Sequence, residues 1–484
     1  MPAQFSSPIR SIENVRIPSS PTTWDIAIDS DVGVITSITP HANPKDKKNI
    51  TTTTNNNNND DNNNKTFTPL ALPSLTHPHI HLDKAFIHNA PQYSSLLPHT
   101  GSFPEALSFT SRAKAQFTHA DVLHRGSWLL ASSVSAGVTA MRAFVEVDHT
   151  VQHICLATGV ELKQTWRDTC AIQLVCFAQD PICSGEFGAQ NRQCIEDAFR
   201  LYGAAIDVLG TTPYVETSVA DAKANIDWAV DRAWTLGLHL DFHLDYHLDP
   251  TREALVWYVL RAVRAKGWTT RSSEKRVMLG HCTRLTLYKD TEWRELAGYI
   301  HENDLPVSFV GLPTSDLYMA APPAGEEMVV GGGRPRGTLP VLKMIREYGL
   351  DAVMGVNNVG NAFTPWGSAD PLGLACLGVG VYQAGTRADA ELLYECVSTR
   401  ARQAIGLTGS KDGVVLTEGD RAEMLLVYDV DDTGCGMARA RTSIAEVVWD
   451  PPATACRDVV VGGRRRISPA SLCPDTAYRF VEIQ

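Results

Sequence analysis

The segment THPHIHLDKAF, residues 76–86, follows the apolar run at 70–75 and governs the interpretation of the whole chain. In an extended strand, side chains two residues apart point to the same face, so His79 and His81 are expected to point at one spot. Two converging neutral imidazoles form half of a metal site. The alternative is that both are surface histidines of a polar turn, and the remainder of the chain must separate the two interpretations.

Length and charge narrow the class of protein. The chain has 484 residues, more than one core normally supports, so one large domain with a smaller partner is expected. A formal net charge of −11 argues against binding to nucleic acid or to an anionic membrane surface, because both require basic patches. The first residues lack the apolar core of a signal peptide, and no apolar run approaches the roughly 20 residues of a membrane span.

Cysteine usage indicates the compartment. The eleven cysteines are scattered singly through apolar segments, and no CxxC pair occurs. In a long chain without a signal peptide this pattern is typical of reduced core cysteines, so a cytoplasmic location is expected.

From residue 69 onward, short apolar runs alternate with amphipathic segments. The runs lie at residues 70–75, 138–145, 171–177, 205–209, 238–243, 276–281, 306–310 and 352–356. The amphipathic segments lie at residues 103–117, 119–136, 191–202, 220–236 and 252–266. Such alternation predicts parallel strands joined by helical crossovers, and eight units predict an α/β fold, a (β/α)8 TIM-type barrel. An open doubly wound sheet is the alternative, but no glycine-rich phosphate fingerprint follows the first run.

The barrel is expected to span residues 69–410, between two β pieces at 1–68 and 411–484. The first β piece contains an Asn-rich insertion at about 45–65, which we expect to be disordered because it has little apolar surface to bury. The second is expected to contain strands at residues 422–428, 444–449 and 458–461 and a hairpin turn at Gly462-Gly463. Together the two pieces predict one small composite β-sandwich domain.

Polar residues close several of the eight runs. Chemistry in such a barrel sits at the carboxyl ends of the strands, where side chains from different strands meet. Histidines close three runs, Gln179 follows the third run and Asn357 follows the eighth. These histidines are His79 and His81, His243, and His281. In the loops after the last two runs, the expected aromatic walls of a pocket are Tyr318, Phe363 and Trp366.

Five sequence motifs resemble those of the amidohydrolase superfamily, and specifically its cytosine deaminase-like branch. They are PHIHLDK (78–84), MRAFVEVD (141–148), FAQD (177–180), GHCT (280–283) and PWGSADPL (365–372). The resemblance covers roughly residues 70–410. It implies one divalent metal ion, Zn or Fe, held by His79, His81 and His243. It further implies that the metal lowers the pKa of a bound water, that His281 orients this water or takes its proton, and that Gln179 contacts an amide-like edge of the substrate.

Two departures from the family pattern bear on the mechanism. Tyr246 occupies the place of the family's proton-shuttling glutamate, and a phenol with a reference pKa of about 10 is a poor base at neutral pH. Asn357 occupies the place of the aspartate that binds metal and accepts a proton, and an amide carries no charge. Of the nearby carboxylates, Asp245 is expected on the side of His243 and is the candidate replacement. Lys84 is expected to be an exposed lysine, with a charged group at the pocket mouth as the alternative. His247 is expected to be a loop histidine, with an approach to the site as the alternative.

Three functional interpretations follow. The first is a metal-dependent hydrolase acting on a C–N bond of a cyclic amide, amidine or related heterocycle. The second is a metal-dependent lyase or cyclase of a specialised metabolite, because both usual carboxylates are replaced. The third is a non-catalytic binding or scaffold protein. The two enzyme interpretations predict a small-molecule substrate. No nucleic-acid or membrane partner is expected, and a homo-oligomer stays open. The chain contains no HExxH, P-loop, GxSxG or HxE/PCxxC motif.

Overall fold

The structure is a computed structural model that describes residues 5–42, 68–320, 337–407, 413–428, 435, 437, 439–466 and 479–482. The Asn-rich segment at 45–65 lies outside the described residues. Within the described ranges, every helix is too short or too polar to cross a bilayer. The chain divides into two compact units, one comprising Leu75–Gly409 and the other Ala3–Ser74 together with Ser410–Gln484.

The described strands and helices are numbered in chain order. The strands are β1 (Phe5–Arg16), β2 (Thr23–Asp29), β3 (Val34–Pro40), β4 (Leu70–Pro73), β5 (Leu75–His81), β6 (Val138–Glu146), β7 (Ala171–Ala178), β8 (Val208–Thr211), β9 (His239–Leu244), β10 (Val277–His281), β11 (Val307–Gly311), β12 (Ala352–Met354), β13 (Met424–Val427), β14 (Arg457–Val461), β15 (Arg464–Arg466) and β16 (Arg479–Glu482). The α-helices are α1 (Phe103–Lys114), α2 (His119–Ala136), α3 (Ile154–Thr165), α4 (Gly188–Tyr202), α5 (Val219–Leu236), α6 (Val256–Ala265), α7 (Asp290–Glu302), α8 (Pro313–Met319), α9 (Val341–Tyr348), α10 (Pro371–Val381), α11 (Arg387–Glu395), α12 (Thr399–Ala404) and α13 (Ile444–Trp449).

The larger unit is the predicted (β/α)8 barrel. Strands β5 to β12 form one parallel sheet in sequence order, with helices between successive strands. The first and last strands meet where the Asn357 backbone carbonyl accepts from the His81 N–H at 2.8 Å and the Asn357 N–H donates to the His79 carbonyl at 3.1 Å. This parallel bridge closes the barrel and places residue 357 beside the histidine segment.

Helix boundaries in the barrel follow from local capping. The Thr118 side chain accepts from the Asp121 N–H at the start of α2, and the Ser218 side chain accepts from the Asp221 N–H at the start of α5. Both helices end at a glycine with positive φ, Gly137 and Gly237, a conformation that most residues avoid. Each glycine turns the chain directly into the next strand, so the caps set the strand–helix alternation.

The smaller unit is an eight-stranded sheet built from both ends of the chain. Its order is β15-β14-β13-β4-β1-β2-β3, and β16 also pairs with β1. One buried cluster combines N-terminal isoleucines with C-terminal apolar residues, and it includes Ile9, Ile12, Ile26, Met424, Leu426 and Val460. Neither end of the chain supplies this core alone.

Two details of the sequence prediction are wrong. The run at 70–75 is not the first barrel strand, because Leu70–Pro73 pairs with β1 and β13 and the barrel strand begins at Leu75. The segment Ile444–Trp449 is a helix instead of a strand. Its Ser443 side chain accepts from the Glu446 N–H while the Glu446 side chain accepts from the Ser443 N–H, and this capping box outweighs the β-branched composition.

Candidate active site

Three histidines converge at the carboxyl end of the barrel. His79 and His81 lie at the end of β5, and His243 lies near the end of β9. The His243 Nε2 atom is 3.2 Å from His79 Nε2 and 3.1 Å from His81 Nε2. All three residues are at most 2% exposed. The alternation of β5 thus brings both of its histidines to one point, as the HxH pattern predicts.

The electrostatics of the site keep these rings neutral. Burial holds the pKa of His79, His81 and His243 well below its usual range, and the positive charge of Lys84 lowers each pKa further. On the opposite side of the His79 ring, Asp241 Oδ1 lies 3.9 Å from Nδ1. This distance is too long for a hydrogen bond, and the Asp241 carboxylate pairs with Arg142 at 3.2 Å. Three neutral nitrogens sharing one point suit Zn²⁺ or Fe²⁺ with one coordination position left open.

A fourth histidine, His281, lies beside this cluster. Its ring centroid is 5.2 Å from that of His243. Its Nδ1 atom lies 2.8 Å from Asp316 Oδ1, and because a carboxylate accepts, the ring donates there. The other Asp316 oxygen accepts from the Leu312 N–H and the Thr338 hydroxyl, which fixes the carboxylate. When the ring is neutral, its proton is therefore on Nδ1 and Nε2 can accept a hydrogen bond.

Tyr246 and Asn357 both line the pocket. The Tyr246 ring stacks against His281 at a centroid distance of 4.0 Å, and its hydroxyl donates to the Ser315 carbonyl at 3.3 Å. The Asn357 side-chain amide donates to the Ser315 hydroxyl at 2.8 Å. Among the described residues that line the pocket, none is a carboxylate.

Asp245 does not reach the pocket. Its two carboxylate oxygens accept from the backbone N–H groups of Leu255 at 2.9 Å and Val256 at 3.0 Å, where α6 begins. Its backbone has a φ of 48°, which turns the side chain away from the strand direction. The expectation that Asp245 replaces the missing shuttle is therefore not supported by its position. His247 also lies outside the pocket lining and accepts a hydrogen bond from the Asp249 N–H.

Lys84 is buried in the pocket wall, so the expectation of an exposed lysine is wrong. It is 1% exposed, and its Nζ lies 2.7 Å from Glu146 Oε1 and donates to Gln179 Oε1 at 3.1 Å. Glu146 also pairs with Lys114 at 2.6 Å. Burial raises the pKa of Glu146, but Lys114 and Lys84 outweigh it and hold the value at about 2. The contacts with Glu146 and Gln179 therefore hold the Lys84 side chain in the pocket wall.

The aromatic walls are only partly as predicted. Phe363 lines the pocket, whereas Trp366 is 43% exposed and lies outside the lining. Tyr318 packs in an apolar cluster with Phe363 and does not line the pocket. A wall that the sequence analysis missed is Tyr214, whose side chain hydrogen-bonds to Gln179.

The other pocket residues that the sequence analysis did not name also follow the carboxyl ends of barrel strands. Ser315 and Asp316 follow strand β11, Tyr214 follows β8 and Asn358 follows β12. Barrel geometry brings the residues after the fourth and seventh strands to the same pocket, so their position after a strand is the sequence signal for Tyr214 and Asp316.

The free space in the pocket is about 20 Å³, which holds about one water molecule. A ring-shaped ligand therefore needs the lining side chains to move apart. The walls offer flat aromatic faces, the Gln179 amide and the Lys84 ammonium group. These groups suit a small planar ligand with hydrogen-bonding edges.

Comparison with solved structures identifies deaminases and aminohydrolases with the same fold. Over 95% of this chain and 97% of the other, it is similar to 5-methylcytosine deaminase from Klebsiella pneumoniae with 5-fluorocytosine, at 19% identity and a TM-score of 0.73. Over 94% and 97%, it is similar to N-isopropylammelide isopropylaminohydrolase from Burkholderia multivorans, at 22% identity and a TM-score of 0.67. A zinc-bound adenosine deaminase from Xanthomonas campestris matches at 13% identity and a TM-score of 0.58, over 98% and 95%.

Sequence comparisons add nothing to this assignment of the fold. No family model matches the chain. No curated protein matches it either.

Proposed function

We propose that this protein is a metal-dependent hydrolase of the amidohydrolase type that cleaves a C–N bond in a cyclic amide, amidine or related heterocycle. The observation that carries the proposal is the convergence of three neutral histidine nitrogens, 3.1 and 3.2 Å apart, in a pocket that also contains His281 and Gln179. Packing of a barrel core does not require buried imidazoles at this point. The shared fold with known deaminases and aminohydrolases supports the same class of reaction.

His79, His81 and His243 would hold the metal ion. A divalent metal at this position supplies Lewis-acid activation of water at neutral pH. The remaining steps depend on the chain's own side chains, which bind the ring, exclude bulk water and move protons.

The His281–Asp316 pair is suited to handle the proton. Asp316 accepts from Nδ1, which holds the ring in one tautomer and leaves Nε2 free to accept a proton from water. A carboxylate behind a histidine also stabilises the imidazolium that forms. In the overall reaction the water oxygen adds to carbon, the C–N bond breaks and the leaving nitrogen takes up a proton. His281 can return that proton.

Substrate recognition is assigned to Gln179 and its neighbours. Because Lys84 donates to Gln179 Oε1, the amide is held in one orientation. The rings of Phe363 and Tyr214 would flank a planar substrate, and Tyr246 would contact it from the side of His281. This arrangement favours a small heterocycle over an extended or charged chain.

A second candidate is a metal-dependent lyase or cyclase acting on a specialised metabolite. The absence of a carboxylate among the described lining residues favours it, because Tyr246 and Asn357 stand where the family has proton-handling acids. With a substrate found among cyclic amides and amidines, reaction in ¹⁸O-labelled water separates the two. One labelled oxygen in the product is expected for hydrolysis, and an unlabelled product would establish the second candidate.

The proposal is tested first by elemental analysis of the purified protein. We expect about one equivalent of Zn or Fe in the native chain and its loss in the His79→Ala, His81→Ala double variant. His77→Ala is the matched control, because His77 is buried in the same strand but its Nε2 lies 3.2 Å from the Ser133 hydroxyl, away from the cluster. A folded native protein without metal after growth in metal-replete medium would overturn the proposal.

A further inference from the structure

A second cavity opens at the opposite end of the barrel, where the strands begin. Its walls include the first residues of β7, Ala171 to Gln173, and His239, the first residue of β9. The active-site histidines lie at the ends of the parallel strands, so the two cavities are separated by the barrel core. The volume of this basal cavity is about 450 Å³, within the usual range for small-ligand sites.

The basal cavity is positively charged in a chain whose formal net charge is −11. Three basic side chains line it, Lys163, Arg167 and Lys275, against one carboxylate, Asp207. Lys163 already balances that carboxylate, because its Nζ lies 2.5 Å from Asp207 Oδ2. Asp207 also accepts from the Leu174 N–H at 2.7 Å, so it is held in place.

Two of the three basic side chains, Lys275 and Arg167, are not neutralised within the cavity and can bind an anionic ligand. Lys275 is half-buried and has no ion-pair partner in the part of the chain that the structure describes. Arg167 is paired only with its neighbour Asp168 at 3.7 Å, and both side chains are largely in solvent, where such a pair contributes little. Ammonium and guanidinium groups at one cavity are the usual partners of phosphate oxygens.

His239 adds a neutral donor to the same cavity. Its Nδ1 accepts from the Arg276 N–H at 2.9 Å, so the proton of the neutral ring is on Nε2. Burial, together with the positive charges of Arg142, Lys275 and Arg276, lowers the pKa of His239 to about 2. The neutral ring can therefore donate a hydrogen bond from Nε2 to an anion without being charged itself.

We propose that the basal cavity binds a small molecule that carries a phosphate or diphosphate group, held by Arg167, Lys275 and His239. A concave site of this size suits a small ligand, and the negative charge of the chain as a whole disfavours a nucleic acid. The site is separate from the histidine cluster, so its occupation does not depend on the proposed hydrolase activity.

The test is isothermal titration of the full-length protein with inorganic pyrophosphate at low ionic strength. Binding to the native protein is expected, with an affinity at least about tenfold lower for Arg167→Ala and for Lys275→Ala. The control variants Lys223→Ala and Lys343→Ala remove a half-buried and an exposed lysine elsewhere on the barrel, and the affinity is expected to stay within about twofold of native.

The His79→Ala, His81→Ala variant distinguishes this site from the proposed metal centre. This variant is expected to bind pyrophosphate as the native protein does. Pyrophosphate bound to the metal centre instead would lose its site when the two histidines are removed. Absence of binding to folded native protein would overturn the proposal. Equal weakening in the cavity variants and in the lysine controls would also overturn it, because that result indicates attraction by the surface as a whole.

Discussion

The buried pair of Lys84 and Glu146 is expected to be strongly coupled, unlike ion pairs of similar length on the surface. We consider the variants Lys84→Met and Glu146→Gln, singly and together. The Nζ–Oε1 distance is 2.7 Å and both side chains are at most 2% exposed. At an effective dielectric constant of about 20, Coulomb attraction at this distance is about 6 kcal/mol, from which the cost of desolvation must be subtracted.

Removing one partner from a buried ion pair typically costs about 3–5 kcal/mol. Glu146 keeps a second partner in Lys114 at 2.6 Å, so we expect the lower end, about 3 kcal/mol, for Lys84→Met. In the double variant the carboxylate that lost Lys84 as a partner is also gone. The two effects are therefore expected to be non-additive by about 1.5–3 kcal/mol.

The assay is urea unfolding of the native protein and the three variants, analysed as a double-mutant cycle. The matched control is the cycle for Lys223→Met and Glu253→Gln, a pair at 2.9 Å whose side chains are 30% and 43% exposed. Its coupling is expected to be below about 1 kcal/mol because water screens the charges. The reasoning from burial would be refuted if the two pairs gave the same coupling energy. It would also be refuted if the effects of Lys84→Met and Glu146→Gln were additive.

Two further predictions concern single carboxylate and amide positions near the cluster. Asp245→Asn is expected to leave the metal content of the folded protein unchanged, because both carboxylate oxygens accept from the Leu255 and Val256 N–H groups. Elemental analysis measures this content, and loss of metal would show that Asp245 reaches the site. Asn357→Asp adds a negative charge next to the histidine cluster, because the Asn357 backbone N–H donates to the His79 carbonyl. Metal loss to a chelator is therefore expected to be slower than in the native protein, and unchanged or faster loss would contradict this.

The barrel was predictable from sequence because its signal is local and repeated. Capping residues and apolar runs recur along the chain, and each strand–helix unit shows its own period. The prediction of a helix over 119–136 matches α2 at both ends, since Thr118 and Gly137 mark those ends chemically. Where local signals conflict the prediction fails, as at Ile444–Trp449, where the capping box overrides β-branched composition.

The sequence by itself also determined the histidine cluster. The HxH alternation places two nitrogens on one face of a strand, and strand order brings His243 to the same end of the barrel. These relations follow from the periodicity of strands and the parallel topology, so they need no knowledge of side-chain packing.

Tertiary structure alone decided which charged residues serve the site. Lys84 is buried because Glu146, 62 positions later, lies 2.7 Å away across adjacent strands. Asp245 is one residue past the strand that carries His243, yet its oxygens are taken by the start of α6. His281 obtains its partner from Asp316 in α8, the helix that follows β11. Such partnerships depend on distances between residues remote in sequence, and charge and position along the chain carry no information about them.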